Sequence, residues 1–454
     1  MSDANQSRPL SYPAWQFDPS KQPFDGDLLG RQRIANRLSE FVGRLDAGAV
    51  IAIDAPWGGG KTWFGRNWAP QLRANGHKVA FVDAFEQDYL EDPFMVIAAE
   101  LATLLDDSEG SGQLLRGKAA AVMKAILPLG AKILVGAVGR LAFGSADLAE
   151  ELQDAVETAQ DGVADSAEKS IEKKLEEHEK EKRSFVEYRR ALAEFAAKQQ
   201  RPVIVFVDEL DRCNPAFAVR LLERVKHFFE IPNVVFVLLL NREQLEQAVK
   251  GMFGLETDAA AYLSKFVRFF FRLPPPSTER NSQYGEQAHD FLSRELGRYG
   301  FEVSQNRAVD NFHAAAAVWT AAARLSLRDM EKMCALFALS GPIGPAGLLA
   351  YLISLKLREP AIFDGLLRGD RESHKAAVEW ISDCAARAGF KDETPEAEYL
   401  AALKEVHFTW LAPGRTEQKH LTDHIARWIM GERGLSVERG FAVVLARIDL
   451  SLEM

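Results

Sequence analysis

Two short stretches of this 454-residue chain bring together residue types that can do chemistry jointly. The first runs Ile51-Ala52-Ile53-Asp54-Ala55-Pro56-Trp57-Gly58-Gly59-Gly60-Lys61-Thr62 and passes into Trp63-Phe64. A β-branched run, a glycine-rich turn and a Lys-Thr pair opening a helix make a phosphate-binding loop. A polyphosphate must be wrapped by backbone N–H groups, and only positions without side chains allow that approach. Gly58, Gly59 and Gly60 supply the backbone, Lys61 a point charge for the β- and γ-phosphates, and Thr62 a hydroxyl for Mg²⁺. The helix start adds the positive end of its dipole. The match to G-x-x-x-x-G-K-[ST] departs at its first position, where Ala55 stands for glycine. Pro56 pushes Ala55 to an extended conformation, so the turn is entered without positive φ.

The second stretch is Val203-Ile204-Val205-Phe206-Val207 followed by Asp208-Glu209-Leu210-Asp211-Arg212. Five consecutive apolar residues suit a strand buried on both faces of a parallel sheet. Acids at its carboxyl end then sit where open α/β sheets bind ligands. Asp208 is placed to hold the shell of a Mg²⁺ ion and Glu209 to polarise an attacking water. A carboxylate pair capping the next helix would explain one acid but not its combination with the upstream loop.

These chemistries need a scaffold, and the pattern supplies one. Strands are expected near 50–54, 79–83, 203–208, 234–240 and 267–273, separated by helical segments. The fold class is therefore α/β, a parallel sheet with helices on both faces. An amphipathic helix over Leu28–Leu45 precedes the loop, and Thr62–Ala74 forms the helix on which phosphates rest. Pro274-Pro275-Pro276 marks a boundary. Beyond it the chain reads as helix after helix, at Gln283–Gly297, Val309–Ala323, Leu327–Leu339, Gly347–Leu357, His374–Ala388 and two more. The domains are thus an arm over 1–26, an α/β domain over 27–275 with a helical insertion at about 106–200, and a helical lid or effector region over 276–454.

Asp27-Leu28-Leu29-Gly30-Arg31, the glycine loop, Phe206-Val207-Asp208-Glu209-Leu210-Asp211-Arg212-Cys213 and Tyr262-Leu263-Ser264-Lys265-Phe266 together resemble the KAP family of P-loop NTPases. That family belongs to the division in which a catalytic glutamate follows the Mg²⁺-binding aspartate. The resemblance covers about the first 275 residues. It implies ATP and Mg²⁺ as cofactors, with Ala55 to Trp63 cradling the phosphates as the Walker A element and Thr62 and Asp208 of Walker B holding the metal. Catalysis would fall to Lys61 and Glu209. Arg31, in the Gly-Arg turn near the adenine in relatives, would contact nucleotide or sit solvated at its helix start. Asn241, at the tip of the fourth strand, looks like the sensor position of related ATPases or caps the helix from Glu243. Arg268 is the candidate for an arginine offered to a neighbouring subunit. Arg328, in Ser326-Leu327-Arg328-Asp329-Met330-Glu331, would reach the nucleotide from a lid helix or pair with Glu331. The family's usual Asn and Trp near Asp83–Phe85 and its membrane-spanning helices are not evident here. The implied activity is ATP hydrolysis by a homo-oligomer with a regulatory or anti-phage role and an effector protein as partner. The competing reading is a nucleotide-gated scaffold with little turnover, which Ala55-Pro56 keeps open. No Asn-Lys-x-Asp motif reads guanine, so ATP is the default nucleotide.

Composition bounds the rest. With 47% hydrophobic residues the chain can bury a large core, and a net charge of −10 argues against a broad nucleic-acid surface. Cys213, Cys334 and Cys384 are scattered without metal-ligand or disulfide spacing, which fits a reducing, cytoplasmic setting. No secretory signal is expected from the polar first 23 residues. Tyr12, Trp15 and Phe17 in the arm should dock on protein. The apolar stretch Ala119–Phe143 is interrupted by charges before it reaches a span of ~20 residues. Lys118, Lys124, Lys132 and Arg140 form a stripe on a helical wheel, which we read as a helix packed on protein, with peripheral membrane contact as the second reading. Asp147–Gln200 reads as a charged, solvated helix or hairpin.

Overall fold

The computed structural model describes residues 22–45, 47–89, 93–104, 183–226, 231–275, 287–412, 429 and 437–449. Its centre is a sheet of five strands, β1 (Ala49–Asp54), β2 (Val79–Asp83), β3 (Val203–Asp208), β4 (Val234–Leu240) and β5 (Phe269–Arg272), in the order β2-β3-β4-β1-β5. All four pairings are parallel. β1 to β4 are apolar at nearly every position because both faces are covered, whereas the edge strand β5 has no buried residue. Val50, Ala52, Val205 and Phe236 enter one core, whereas Ile51, Ile53, Phe206 and Val237 enter the other. Helices α1 (Arg31–Val42) and α2 (Lys61–Ala74) pack on the second face. The first is covered by α3 (Pro93–Thr103), α4 (183–197), α5 (Pro215–Lys226), α6 (Arg242–Phe253) and α7 (Ala259–Ser264). The α/β architecture expected from the sequence is therefore the one observed. Only β5, an edge strand, is shorter than expected, because Val267 still belongs to the turn after α7, its N–H donating to Leu263 O.

Parallel pairing has a direct consequence for the site. Every strand delivers its carboxyl end to the same edge, where Asp83 stands level with Asp208 and Asp54 level with Leu240. β4 lies between β1 and β3, so the glycine loop and the acidic strand end flank the tip of β4.

The C-terminal part is helical: α8 (Gln287–Arg298), α9 (Arg307–Ala322), α10 (Leu327–Ser340), α11 (Ala346–Arg358), α12 (Pro360–Leu367), α13 (Arg371–Ala388), α14 (Pro395–Leu411) and α15 (Val437–Asp449). Ten successive residues of α11, Ala346 to Leu355, are buried, and its neighbours surround it. α12 was not anticipated, because Pro360 reads as a stop; here it occupies the first turn, where its missing N–H costs nothing. α13 begins three residues ahead of the expected His374, since Asp370 caps it by accepting from Glu372 N and Ser373 N. Among the described residues no helix is long and apolar enough to cross a membrane. The arm aromatics Tyr12, Trp15 and Phe17, the stripe from Lys118 to Arg140 and the charged stretch 147–182 lie outside the described residues.

The helical core holds a buried polar network. His374 Nδ1 and His407 Nδ1 are 2.8 Å apart and share one proton, and the Tyr351 hydroxyl lies 2.8 Å from His407 Nε2. Trp410 stacks on His374, and Phe441 stands edge-on to it. Burial pushes His374 down to about 4 and His407 to about 3, so both are neutral when folded. Below the ordinary imidazole value of 6.5 the unfolded chain takes up protons that the folded one refuses. This contribution is full above pH 6.5 and is lost as the pH falls toward 4. Urea unfolding should therefore show stability dropping by about 1–2 kcal/mol per histidine between pH 6.5 and 5. His407→Leu should lower stability at pH 7.5, where Tyr351 loses a partner, yet flatten that slope. An unchanged slope would contradict the assignment.

Candidate phosphate-binding site

The loop between β1 and α2 takes its shape from its glycines. Gly58 and Gly60 have φ of 74° and 83°, a region that side chains disfavour, and Gly60 caps α2 without a side chain of its own. The first N–H groups of α2, which have no intrahelical acceptors, are left for a ligand. A Cβ on Gly59 would lie 3.0 Å from the Ala55 Cβ and 2.9 Å from the Pro56 carbonyl. Ala55 itself is buried and not at positive φ, so alanine is tolerated there while Gly59 carries the close approach.

Lys61 is buried and turns back on its own loop. Its ammonium donates to Ala55 O at 2.8 Å and Pro56 O at 3.3 Å and stands 4.0 Å from Asp211 Oδ2. Burial lowers its pKa, while Asp211, Asp208 and Asp54 oppose that shift. The same Asp211 oxygen accepts from Trp57 Nε1, which pins the exposed loop tip to the turn after β3.

That turn is tight. Glu209 has φ 59° and ψ 22°, a left-handed conformation costing about 1 kcal/mol for a non-glycine residue. A single 3₁₀ turn, Leu210–Arg212, follows. Its Arg212 Nη1 lies 2.9 Å from Glu209 Oε1. Asp208 is fully buried. Its Oδ1 accepts from Glu209 N at 2.9 Å, and its Oδ2 is buried without a partner. Burial raises the Asp208 pKa to about 7, the Thr62 side chain opposes the rise, and Glu209 and Asp83 add to it. Burial also raises Glu209, against the pull of Arg212 and Arg328.

A cavity of about 700 Å³ opens above these groups. Its floor is the glycine loop with Lys61, Thr62 and Trp63; Asp208, Glu209, Asp211 and Arg212 form one side. Arg31 enters from α1, with Nη2 3.5 Å from Gly59 O and Nη1 buried without a partner; burial lowers its pKa to about 10. The far wall comes from the helical part. The Arg328 backbone N–H donates to Gly58 O at 3.4 Å, and Leu327 lies over Gly60. Arg294 donates to Gly26 O at 2.9 Å, and Arg298 donates through Nη1 to both oxygens of the buried Glu295.

The structure thus gathers Arg31, Gly58, Gly59, Gly60, Lys61, Thr62, Trp63, Asp208, Glu209 and Arg328 around one cavity. Ala55, Pro56 and Trp57 stand behind or outside it and act through the Lys61 and Asp211 contacts. Asn241 is buried at the tip of β4 but does not line the cavity. Its side chain makes no capping bond to α6, whose first N–H, that of Arg242, donates to Asp54 Oδ1. Arg268 donates its N–H to Val50 O, at the amino end of β1 and the sheet edge opposite the loop. It does not reach this chain's cavity, and a role for it requires a second copy. Sequence reasoning missed Asp211 and Arg212 as site residues, although their place three and four residues after Asp208 was the available signal. It also missed Arg294 and Arg298, for which no local signal exists.

A parallel sheet with a glycine loop after β1 and acids after β3, facing a cavity lined by phosphate-binding groups, defines a nucleotide-binding P-loop NTPase fold. Residues 31–341 match the model of the KAP family P-loop domain, and the chain belongs to that family. Over 73 residues it is 30% identical to the phage T7 exclusion protein of Escherichia coli (strain K12), a match spanning 16% of this chain and 10% of that protein. Among solved structures, the ORC2 protein of Aeropyrum pernix, determined as ADPNP–ADP complexes, aligns over 97% of this chain and 98% of its own. That alignment has 13% identity and a TM-score of 0.30, too low to carry an argument.

The glycine geometry yields a matched pair of substitutions. A Cβ on Gly58 would meet Arg328 Cβ at 2.6 Å, whereas Gly76, at φ 88°, has nothing within 4 Å. Both alanine variants should lose about 1 kcal/mol of unfolding stability to the left-handed backbone. Only Gly58→Ala should also weaken nucleotide binding, by at least about tenfold, because the loop and α10 are forced apart. Equal affinities in the two variants, read by titration with a fluorescent nucleotide, would refute the coupling.

Proposed function

We propose that this protein hydrolyses ATP at the β–γ bond with Mg²⁺, and that it does so as a regulatory or anti-phage ATPase working in an oligomer. The observation that carries the reading is the convergence of Lys61, Thr62, Asp208 and Glu209 on one cavity, with Asp208 Oδ2 buried and unpartnered. A buried carboxylate oxygen without a partner fits a cation, and Thr62 and Asp208 are the residues that would hold Mg²⁺. When bound, the ion neutralises charge on the phosphate oxygens. Lys61 is released from the Ala55 and Pro56 carbonyls to the phosphates, and the loop N–H groups orient them. Glu209 takes the proton of the attacking water, its raised pKa suiting a general base. The 73-residue sequence likeness to a phage exclusion protein supports a defence role, and an effector partner belongs to that same proposal.

A second reading, the nucleotide-gated scaffold, is favoured by one contact. Arg328 N–H on Gly58 O joins the loop directly to α10, so loop movement is transmitted to the helical part with or without turnover.

Phosphate release measured over a range of protein concentrations separates the two. Turnover per subunit should rise with concentration and fall by at least about a hundredfold in Lys61→Ala and Glu209→Gln. Tight nucleotide binding with no turnover at any concentration would discard the enzyme and leave the scaffold.

A further inference from the structure

The proposed general base is not free. Glu209 Oε1 lies 2.9 Å from Arg212 Nη1, within one 3₁₀ turn whose backbone is fixed by Arg212 N donating to Glu209 O at 3.0 Å. A carboxylate oxygen paired with a guanidinium is a poorer proton acceptor. Arg212 also lines the cavity, about a third exposed, close enough to Lys61 for the two positive charges to repel. Lys61 and Arg212 thus line the same cavity, and both can meet a phosphate held there. The other charged groups facing Glu209 are Asp83, Asp211 and Arg328. Two of these are acids, which cannot take Arg212's place as its partner.

We propose that Arg212 is a positioning residue that senses the third phosphate. It holds Glu209 by the ion pair; a γ-phosphate exchanges with the carboxylate on the guanidinium and leaves Glu209 to take the water. A terminal phosphate carries more charge than one carboxylate and offers three oxygens to the planar fork, so it wins that competition, whereas a diphosphate has no group at this position. The proposal rests on the ATPase reading for the role of Glu209, but its test does not need turnover.

The test is the affinity of the Mg²⁺ complexes of a β,γ-imido triphosphate and of ADP for the wild type, Arg212→Gln, Glu209→Gln and the double variant. Arg212→Gln should weaken the triphosphate analogue by about tenfold and change ADP by less than about twofold. Glu209→Gln should tighten the analogue, since no ion pair has to be broken, and the gain should vanish in the double variant. Equal losses for both nucleotides in Arg212→Gln would make Arg212 merely structural. A gain from Glu209→Gln that persists without Arg212, or a wild type that does not bind the analogue, would equally overturn the proposal. Should Arg212→Gln fail to fold, Arg212→Lys carries the same comparison: a point charge without the fork should lose part of the preference for triphosphate and leave ADP unchanged. A protein that passes this cycle yet releases no phosphate would defeat the ATPase reading alone. A hydrolysing protein that fails it would defeat only the role of Arg212.

Discussion

Lys61 is a buried ammonium, and the site is built around the need to keep it charged. An ammonium taken out of water costs several kcal/mol unless oxygens replace its hydration. The loop supplies two carbonyls from Ala55 and Pro56, and the sheet supplies Asp211, Asp208 and Asp54 from the ends of two different strands. Those acids stand together only because β1 and β3 run parallel with β4 between them. The arrangement is self-consistent but not fully satisfied, since Asp208 Oδ2, Asp211 Oδ1 and Arg31 Nη1 remain buried without partners. Unpaired buried polar atoms of both signs around one cavity are a cost that a polyphosphate and a cation would remove.

The helical part enters the same economy of contacts. α10 meets the loop through a capping box in which Ser326 and Asp329 satisfy the helix start, so its backbone is rigid where Arg328 N–H reaches Gly58 O. α8 adds Arg294 on Gly26 O, tying the helical core to the segment that precedes α1. The cavity is thus closed by two parts of the chain that are far apart in sequence. The helical part also buries polar groups among its aromatic rings, with Trp319 Nε1 donating to the Tyr399 hydroxyl and that hydroxyl to Gly347 O.

Much of this was legible in advance, and particular residues show why. Strands β1 to β4 were readable because both-face burial writes itself as short runs of apolar residues, and β5 from its run of three phenylalanines. Gly58 to Thr62 and Asp208-Glu209 were readable because phosphate and metal chemistry demand those types at fixed positions relative to a strand end. The place of Arg268 relative to this chain's cavity was not readable in that way. It lies within the segment read as the last strand, but at its amino end, and a parallel strand places that end away from the loop. α12 was hidden because Pro360 ends one helix and begins the next, two roles that one residue can hold at once.

The sequence alone determined the chemistry on offer and the elements that carry it: a glycine loop, a lysine and threonine after it, two acids after a buried strand, and the KAP family resemblance. Tertiary structure decided which groups meet. It put Asp211 between Trp57 and Lys61, brought Asp54 to the first N–H of α6, and closed the cavity with arginines from α8 and α10. Local spacing reports only neighbours along a helix or strand. Contacts across 150 residues or more follow from strand order and helix packing, and these are set by burial of the whole chain, not by any one segment of it.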